Sequence, residues 1–260
     1  MPKLLLASVL LLAGFATAWA EVETRTIEYR QGDTRLVGYL AYPAGAKGPL
    51  PGVLVVPEWR GLNDYAKRRA EQLAELGYVA LAADIYGDGK VAADNQEAGA
   101  LAKIYKDDRK LMRARAQAGL DALKGQSLTD PKRVAAIGYC FGGTTVLELA
   151  RSGAEVAGVV SFHGGLDTPT SADASNIRGR VLVLHGGDDP HVPPDQVQAF
   201  QDEMRKAGVD WQLVAYGGAV HSFTNPASGN DNSRGAAYNA KADRRSWIAM
   251  QQFFQELFNR

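Results

Sequence analysis

The single cysteine of the chain lies inside a glycine-flanked stretch, Gly138 to Gly142, with the sequence GYCFG. A G-x-nucleophile-x-G pattern predicts a sharp turn from strand to helix that exposes a catalytic side chain, here the thiol of Cys140. The apolar run Val134 to Ile137 predicts the strand, and Thr144 to Arg151 predicts the helix. A helix N-terminus favours a thiolate because its free N–H groups carry partial positive charge. The alternative is a cysteine that only packs beside a glycine-rich turn.

A nucleophile on such a turn needs an acid and then a histidine later in the chain. His221 follows the apolar run Trp211 to Tyr216 and lies on a predicted loop, which is where the base belongs. The acid should follow the preceding strand, and the stretch after Val181 to Leu184 supplies two aspartates, Asp188 and Asp189. Of these two, Asp189 is the predicted acid.

The other three histidines have plainer interpretations. His185 ends a predicted strand and is expected to be a hydrogen-bonded core residue. His191 is expected on a solvent-facing loop, with pocket lining as the alternative. His163 follows another predicted strand, and contact with the back wall of the pocket is the less favoured of its two interpretations. The histidines are scattered and lack an i, i+4 pair, so we expect neither a metal nor another cofactor.

The elements that must position these residues alternate between apolar strands and helix-period segments. Strands buried on both faces lack strict alternation of apolar and polar residues. The apolar runs of this kind are Gly52 to Val56, Val79 to Ala83, Val134 to Ile137, Val156 to Phe162 and Val181 to Leu184. The helix-period segments are Tyr65 to Leu76, about Ile104 to Leu123, Thr144 to Arg151, Gln196 to Ala207 and about Ala236 to Phe258. Thr24 to Tyr29 and Thr34 to Tyr42 predict an N-terminal β-hairpin. The order predicts an α/β fold with a mostly parallel central sheet and helices on both faces.

Composition and charge restrict the partners. The 260 residues are 46% hydrophobic, which is enough apolar material for a core. Lys plus Arg and Asp plus Glu both number 29, so no excess charge favours nucleic acid or an anionic membrane. The expected partner is a small molecule bound in a pocket.

Residues 1–20 differ from the rest of the chain. Lys3 supplies positive charge, Leu4 to Ala16 is apolar, and Ala18 to Ala20 fits a small-x-small cleavage site. We expect this segment to be removed as a signal peptide, leaving one exported domain, 21–260, in a bacterial periplasm or outside the cell, without stable membrane insertion. A membrane anchor is the alternative, but the uncharged run is short for a span.

Taken together, the motifs resemble those of the dienelactone hydrolase family, the cysteine-dependent members of the α/β-hydrolase fold. The resemblance extends from about Leu36 to Phe254. It rests on five stretches in order: Pro57 to Gly61 (PEWRG), Ala83 to Gly87 (ADIYG), Gly138 to Gly143 (GYCFGG), His185 to Pro193 (HGGDDPHVP) and Val220 to Phe223 (VHSF). It implies the α/β-hydrolase fold and a triad of Cys140, Asp189 and His221. The family acid precedes a Val-Pro pair by three residues, as Asp189 precedes Val192.

Further site residues surround the predicted triad. The oxyanion donors are expected to be the backbone N–H groups of Phe141, directly after the nucleophile, and of Trp59, in an early strand-to-helix loop. The resemblance adds Glu58, which in the family lies near the thiol and is thought to help generate the thiolate when substrate binds. Four residues are possible pocket residues: Arg60, Tyr86, His163 and Ser222.

The predicted activity is hydrolysis of a small carboxylic ester or lactone through a thioester. Family members bind a substrate carboxylate through arginine, and no arginine here matches that one. Arg60, Arg109 and Arg113 are candidates, with a solvated charge the favoured interpretation of each. The main alternative is a non-catalytic small-molecule-binding protein that retains the hydrolase fold. A thiol redox protein would need a resolving cysteine, and a cysteine peptidase would need an extended cleft.

Overall fold

The computed structural model describes residues 21–258. The predicted signal peptide, residues 1–20, lies outside the described residues. Within 21–258, no helix is both long enough and apolar enough to cross a lipid bilayer.

Eight strands form one sheet. They are β1 (Val22–Gln31), β2 (Thr34–Pro43), β3 (Leu50–Val56), β4 (Val79–Ala82), β5 (Thr129–Tyr139), β6 (Gly158–Phe162), β7 (Arg180–Gly186) and β8 (Trp211–Tyr216). Their order across the sheet is β1-β2-β4-β3-β5-β6-β7-β8. The β1–β2 hairpin joins the sheet antiparallel to β4, and β4 to β8 are parallel to one another and to β3. The predicted hairpin and the mostly parallel sheet are confirmed.

Residues 21–258 contain six α-helices, of which the first five lie between strands and the sixth follows β8: α1 (Asp64–Glu75), α2 (Asn95–Asp107), α3 (Arg109–Lys124), α4 (Phe141–Arg151), α5 (Pro194–Ala207) and α6 (Ala240–Phe258). The single helix predicted from about Ile104 to Leu123 is wrong, because the chain breaks at Asp108. The backbone of Asp108 is non-helical (φ −117°, ψ 84°), and its carboxylate accepts the N–H of Leu111 as the N-cap of α3. The spacing of apolar residues continues across Asp108, but this capping aspartate ends one helix and begins the next.

Helices cover both faces of the sheet. Along β3, Val53 and Val55 pack into one apolar cluster with α1 and α6, whereas Leu54 and Val56 pack into the other with α2, α3, α4 and α5. This alternation explains the continuous apolar runs, since each side of a central strand meets a helix layer. The parallel strands all end at one edge of the sheet, where the loops after β3, β5, β6, β7 and β8 meet.

Candidate active site

The turn between β5 and α4 holds the thiol in a strained conformation. Cys140 has φ 53° and ψ −115°, in the left-handed region that side chains disfavour. The flanking glycines are required by space. A Cβ at Gly138 would overlap the carbonyl oxygen of Gly142, and a Cβ at Gly142 would overlap the carbonyl oxygen of Val56. Because strand, turn and helix pass this close to one another, the turn presents the Cys140 side chain at the start of α4.

The structure places Cys140, His221 and Asp189 in a hydrogen-bonded row. The Nε2 atom of His221 lies 3.0 Å from the Cys140 Sγ, and its Nδ1 atom lies 2.8 Å from Asp189 Oδ2. The other oxygen of Asp189 accepts the backbone N–H of His191 at 2.8 Å, which fixes the carboxylate. Asp189 is 5% exposed, whereas Asp188 points to solvent. Of the two aspartates, Asp189 is the one in contact with His221.

The site favours the cationic form of His221. Burial lowers the pKa of this imidazole, but the negative charge of Cys140 and the hydrogen bond that His221 donates to Asp189 outweigh burial and raise the pKa to about 10. The imidazolium form of His221 is therefore favoured between the sulfur of Cys140 and the carboxylate of Asp189.

Glu58 lies on the loop after β3 and is 6% exposed. Its two oxygens accept hydrogen bonds from Ser222 Oγ at 3.2 Å and from Asn225 Nδ2 at 2.6 Å. Burial raises its pKa, although both hydrogen bonds oppose that shift. The carboxyl group is thus anchored to the loop that carries His221, while the thiol is paired with His221 itself.

The two residues predicted to supply the oxyanion donors line the same cavity as the thiol. Phe141 is the first residue of α4, so its N–H has no partner within the helix. Trp59 follows Glu58, and its carbonyl accepts the hydroxyl of Tyr86 at 2.6 Å, which holds this loop to the loop after β4. Trp59 and Phe141 both line the cavity beside the thiol. Their roles as donors stay predictions.

Two neighbouring cavities share part of their lining, and one of them contains Cys140 and His221. The catalytic cavity, of about 290 Å³, is lined by Cys140, His221, Trp59 and Phe141 among others. The polar cavity, of about 580 Å³, is lined by Glu58, Arg60, Asn63, Asn225 and Arg234 among others. Trp59, Ser222 and Ala236 line both. The cavity at the thiol therefore adjoins a second cavity that is rich in polar side chains.

Two of the four predicted pocket residues line these cavities and two do not. Ser222 borders both, and Arg60 borders the polar cavity. Tyr86 donates its hydroxyl to the carbonyl of Trp59, and its ring packs on Phe141 at a centroid distance of 5.9 Å. His163 is 1% exposed and lies behind the nucleophile turn. Tyr86 and His163 line neither of these two cavities, and their assignment to the substrate pocket stays a prediction.

The candidate arginines are engaged in hydrogen bonds. Arg109 donates to Asp167 at 2.6 Å, and Arg60 donates to Asn95 at 2.6 Å. Arg113 pairs with Glu148 and with Asp173.

The sequence analysis missed Thr224 and Asn225, which follow His221 in the run HSFTN and hold its loop. The signal in the sequence was the three side chains after His221 that can form hydrogen bonds, Ser222, Thr224 and Asn225. Among residues 21–258, no group of three or more His, Cys, Asp or Glu side chains is arranged to hold a metal ion.

The chain is similar to known hydrolases over nearly its whole described length. The model of the dienelactone hydrolase family matches residues 36–258. Protein usf of Aquifex pyrophilus is 30% identical, over 88% of this chain and 97% of that protein, and a putative carboxymethylenebutenolidase of Aquifex aeolicus is 29% identical, over 88% and 96%. Among solved structures, the dienelactone hydrolase-like promiscuous phosphotriesterase P91 from metagenomic libraries is 49% identical with a TM-score of 0.87, over 91% of this chain and 98% of that one. The structure m3DLH is 47% identical with a TM-score of 0.88, over 91% and 99%. With its sheet, its nucleophile turn and this match, the chain belongs to the dienelactone hydrolase family.

Proposed function

We propose that the protein hydrolyses small carboxylic esters or lactones through a thioester on Cys140. The observation that carries this proposal is the row of Sγ, imidazole and carboxylate beside a cavity. Nucleophile, base and orienting acid occupy the relation that acyl transfer requires. The names of the Aquifex aeolicus relative and of the structure neighbours support the same reaction class.

In the first half-reaction the Cys140 thiolate attacks the carbonyl carbon. The C–S bond forms while the carbonyl π electrons move to oxygen, and the N–H groups of Phe141 and Trp59 stabilise that oxyanion. When the intermediate collapses, the C–O bond to the alcohol breaks and His221 Nε2 gives its proton to the leaving oxygen. The products are a thioester, neutral His221 and an alcohol, which stays tethered to the acyl group when the substrate is a lactone.

The second half-reaction follows from the electrostatics of the row. Once Cys140 is acylated, the thiolate charge that raised the pKa of His221 is gone. The imidazole then accepts a proton from water, and the hydroxide attacks the thioester. The C–S bond breaks, the carboxylic acid leaves, and the thiolate–imidazolium pair is restored. Asp189 holds Nδ1–H throughout, so Nε2 always faces the reaction.

The decisive experiment measures initial hydrolysis rates of cis- and trans-dienelactone and of p-nitrophenyl acetate by residues 21–260. Mass spectrometry of the protein quenched during turnover looks for the added acyl group. We expect turnover, an acyl adduct on the wild type, and neither with Cys140→Ala. Turnover by a folded C140A protein would exclude the thiol mechanism, and saturable binding without turnover by the wild type would favour the binding-protein alternative.

A second candidate activity is hydrolysis of phosphotriesters. It is favoured by the 49% identity to P91, whose name describes a promiscuous phosphotriesterase. Here the thiolate attacks phosphorus, an aryloxide leaves, and water later cleaves the S–P bond. Paraoxon is the probe, because its p-nitrophenolate product is coloured. Cys140-dependent release of p-nitrophenolate would support this activity. Stable phosphorylation of the thiol without turnover would show that the phosphotriester is an inhibitor and not a substrate.

We also propose that the protein is exported, on the strength of the charged, apolar and small-residue pattern of residues 1–20. Expression of the full chain in a Gram-negative host, followed by osmotic shock and N-terminal sequencing, tests this. The expected result is a periplasmic protein that begins at Glu21. A full-length protein in the cytosolic fraction would contradict it.

A further inference from the structure

One buried histidine takes no part in the reaction as described. His163 follows β6, is 1% exposed, and has φ 41°, a left-handed backbone that is uncommon for a residue other than glycine. Its Nδ1 atom accepts the backbone N–H of Cys140 at 3.1 Å, a donor shared with the carbonyl of Phe162 at 3.0 Å. Its Nε2 atom lies 2.7 Å from Thr224 Oγ1. The imidazole therefore joins the nucleophile turn to the loop of the base.

These contacts determine the protonation of His163. The Cys140 N–H points at Nδ1, so that nitrogen carries no proton, and Nε2 carries the proton donated to Thr224. Burial lowers the pKa of His163 well below its usual value, and the positive charges of His221 and Arg69 lower it further. A second proton on Nδ1 would also face the Cys140 N–H. The imidazole is therefore neutral, with its proton on Nε2.

Thr224 is held firmly from the side opposite His163. Its hydroxyl lies 2.6 Å from the hydroxyl of Tyr65, and its carbonyl accepts a hydrogen bond from Arg69 at 2.8 Å. Arg69 is itself 6% exposed and pairs with Asp243 at 2.6 Å. Through these contacts the loop at Thr224, three residues after His221, is fixed to α1 and α6. The imidazole of His163 thus bridges a rigid support and the strained nucleophile.

We propose that His163, with Thr224, is a positioning residue that holds the nucleophile turn and the base loop in register, so that Cys140 Sγ and His221 Nε2 stay in contact at 3.0 Å. The inference rests on the proposed thiol mechanism. His163 touches neither cavity and acts through the Cys140 backbone and the loop of His221. A misplacement of about 1 Å between reacting groups lowers a rate by roughly 10²-fold, so a bridge of this kind affects the chemical step rather than substrate binding.

The variant that breaks the bridge with least change of shape is Thr224→Val, and Thr224→Ser restores the hydroxyl. Thr129→Val is the matched control, because Thr129 is a buried threonine at the start of β5 whose hydroxyl has no hydrogen-bond partner within residues 21–258. For T224V we expect kcat to fall at least tenfold with KM within twofold of wild type. T224S should recover most of kcat, and T129V should match wild type. Wild-type kcat in T224V, or a rise in KM alone, would overturn the proposal.

Two further measurements separate this proposal from the proposed function. Alkylation of Cys140 by iodoacetamide reports the thiolate without any ester, and we expect at least a threefold slower rate in T224V but not in T129V. Nitrogen-15 NMR of wild-type protein labelled at histidine reports the tautomer directly, with His163→Asn assigning the signal. The expected result is a neutral ring protonated on Nε2. A proton on Nδ1, or unchanged alkylation of T224V, would refute the bridge even if ester hydrolysis is intact.

Discussion

The imidazole Nε2 of His221 lies 3.0 Å from the Sγ of Cys140, and this contact favours the cationic form of the histidine. The negative sulfur is the largest of the influences that raise the pKa of His221, to about 10. The raised pKa stabilises the folded state. This contribution is fully present at a pH below 6.5, the usual pKa of histidine, and is lost as the pH rises through about 10.

We therefore predict that the titration of His221 depends on the thiol. In NMR spectra of wild-type protein the ring should remain cationic from pH 6 to 9. In Cys140→Ala the pKa should fall, because burial then opposes the charge with only Asp189 to support it. Identical His221 titrations would contradict the ion pair.

Asp189→Asn should lose activity because it changes the tautomer of His221. In Asp189→Asn, the N–H of His191 still requires an oxygen at the Oδ1 position, so the new NH₂ group faces His221 Nδ1. That donor removes the proton from Nδ1 and places it on Nε2, where the reaction needs a base. We expect kcat to fall by about 10²- to 10⁴-fold. Asp188→Asn, on the exposed neighbour, should stay within twofold of wild type in the same assay, and equal losses in both variants would contradict the assignment.

The close approach of α4 to β3 predicts a steric effect. In Gly142→Ala the new methyl group would meet the carbonyl oxygens of Val56 and Pro57, both part of the backbone. Because backbone cannot turn aside, we expect a loss of about 1–3 kcal/mol in the free energy of unfolding, measured with urea, and a displaced thiol. Gly48→Ala introduces the same methyl group where nothing lies within 4 Å and should be nearly neutral. Wild-type stability and activity in G142A would show that the turn is looser than the structure indicates.

The sequence predicted the sheet well because its central strands are buried on both faces and stand out as continuous apolar runs. It also predicted which side chains form the row, since chain order and strand ends restrict nucleophile, acid and base to a few residues. It failed at Asp108, where one capping side chain divides an apolar period that looks continuous. Local hydrogen bonds of this kind leave little trace in periodicity.

The surroundings of the row could not be predicted for a different reason. Glu58 and Asn225 are 167 positions apart, and nothing in either local sequence indicates their 2.6 Å hydrogen bond. His163 is buried and has a positive backbone φ, and periodicity reports neither property. Loop conformation decides which way such side chains point, and it depends on contacts between loops that only the folded sheet edge brings together.

The buried carboxyl group of Glu58 predicts a gain of stability on substitution. Burial raises its pKa, so ionisation at neutral and alkaline pH destabilises the folded state, and the stability that Glu58 contributes is greatest in acid, below its usual value of 4.5. In Glu58→Gln the amide oxygen still accepts from Asn225, and the amide nitrogen donates to a reoriented Ser222 hydroxyl. We expect E58Q to unfold at a higher temperature than wild type at pH 8, with the difference shrinking toward pH 5. Glu28→Gln is the control, because Arg35 holds the pKa of Glu28 below its usual value, and this variant should show no gain at either pH. An unfolding temperature of E58Q at or below that of wild type at pH 8 would show that the Glu58 carboxylate is satisfied by its partners despite its burial.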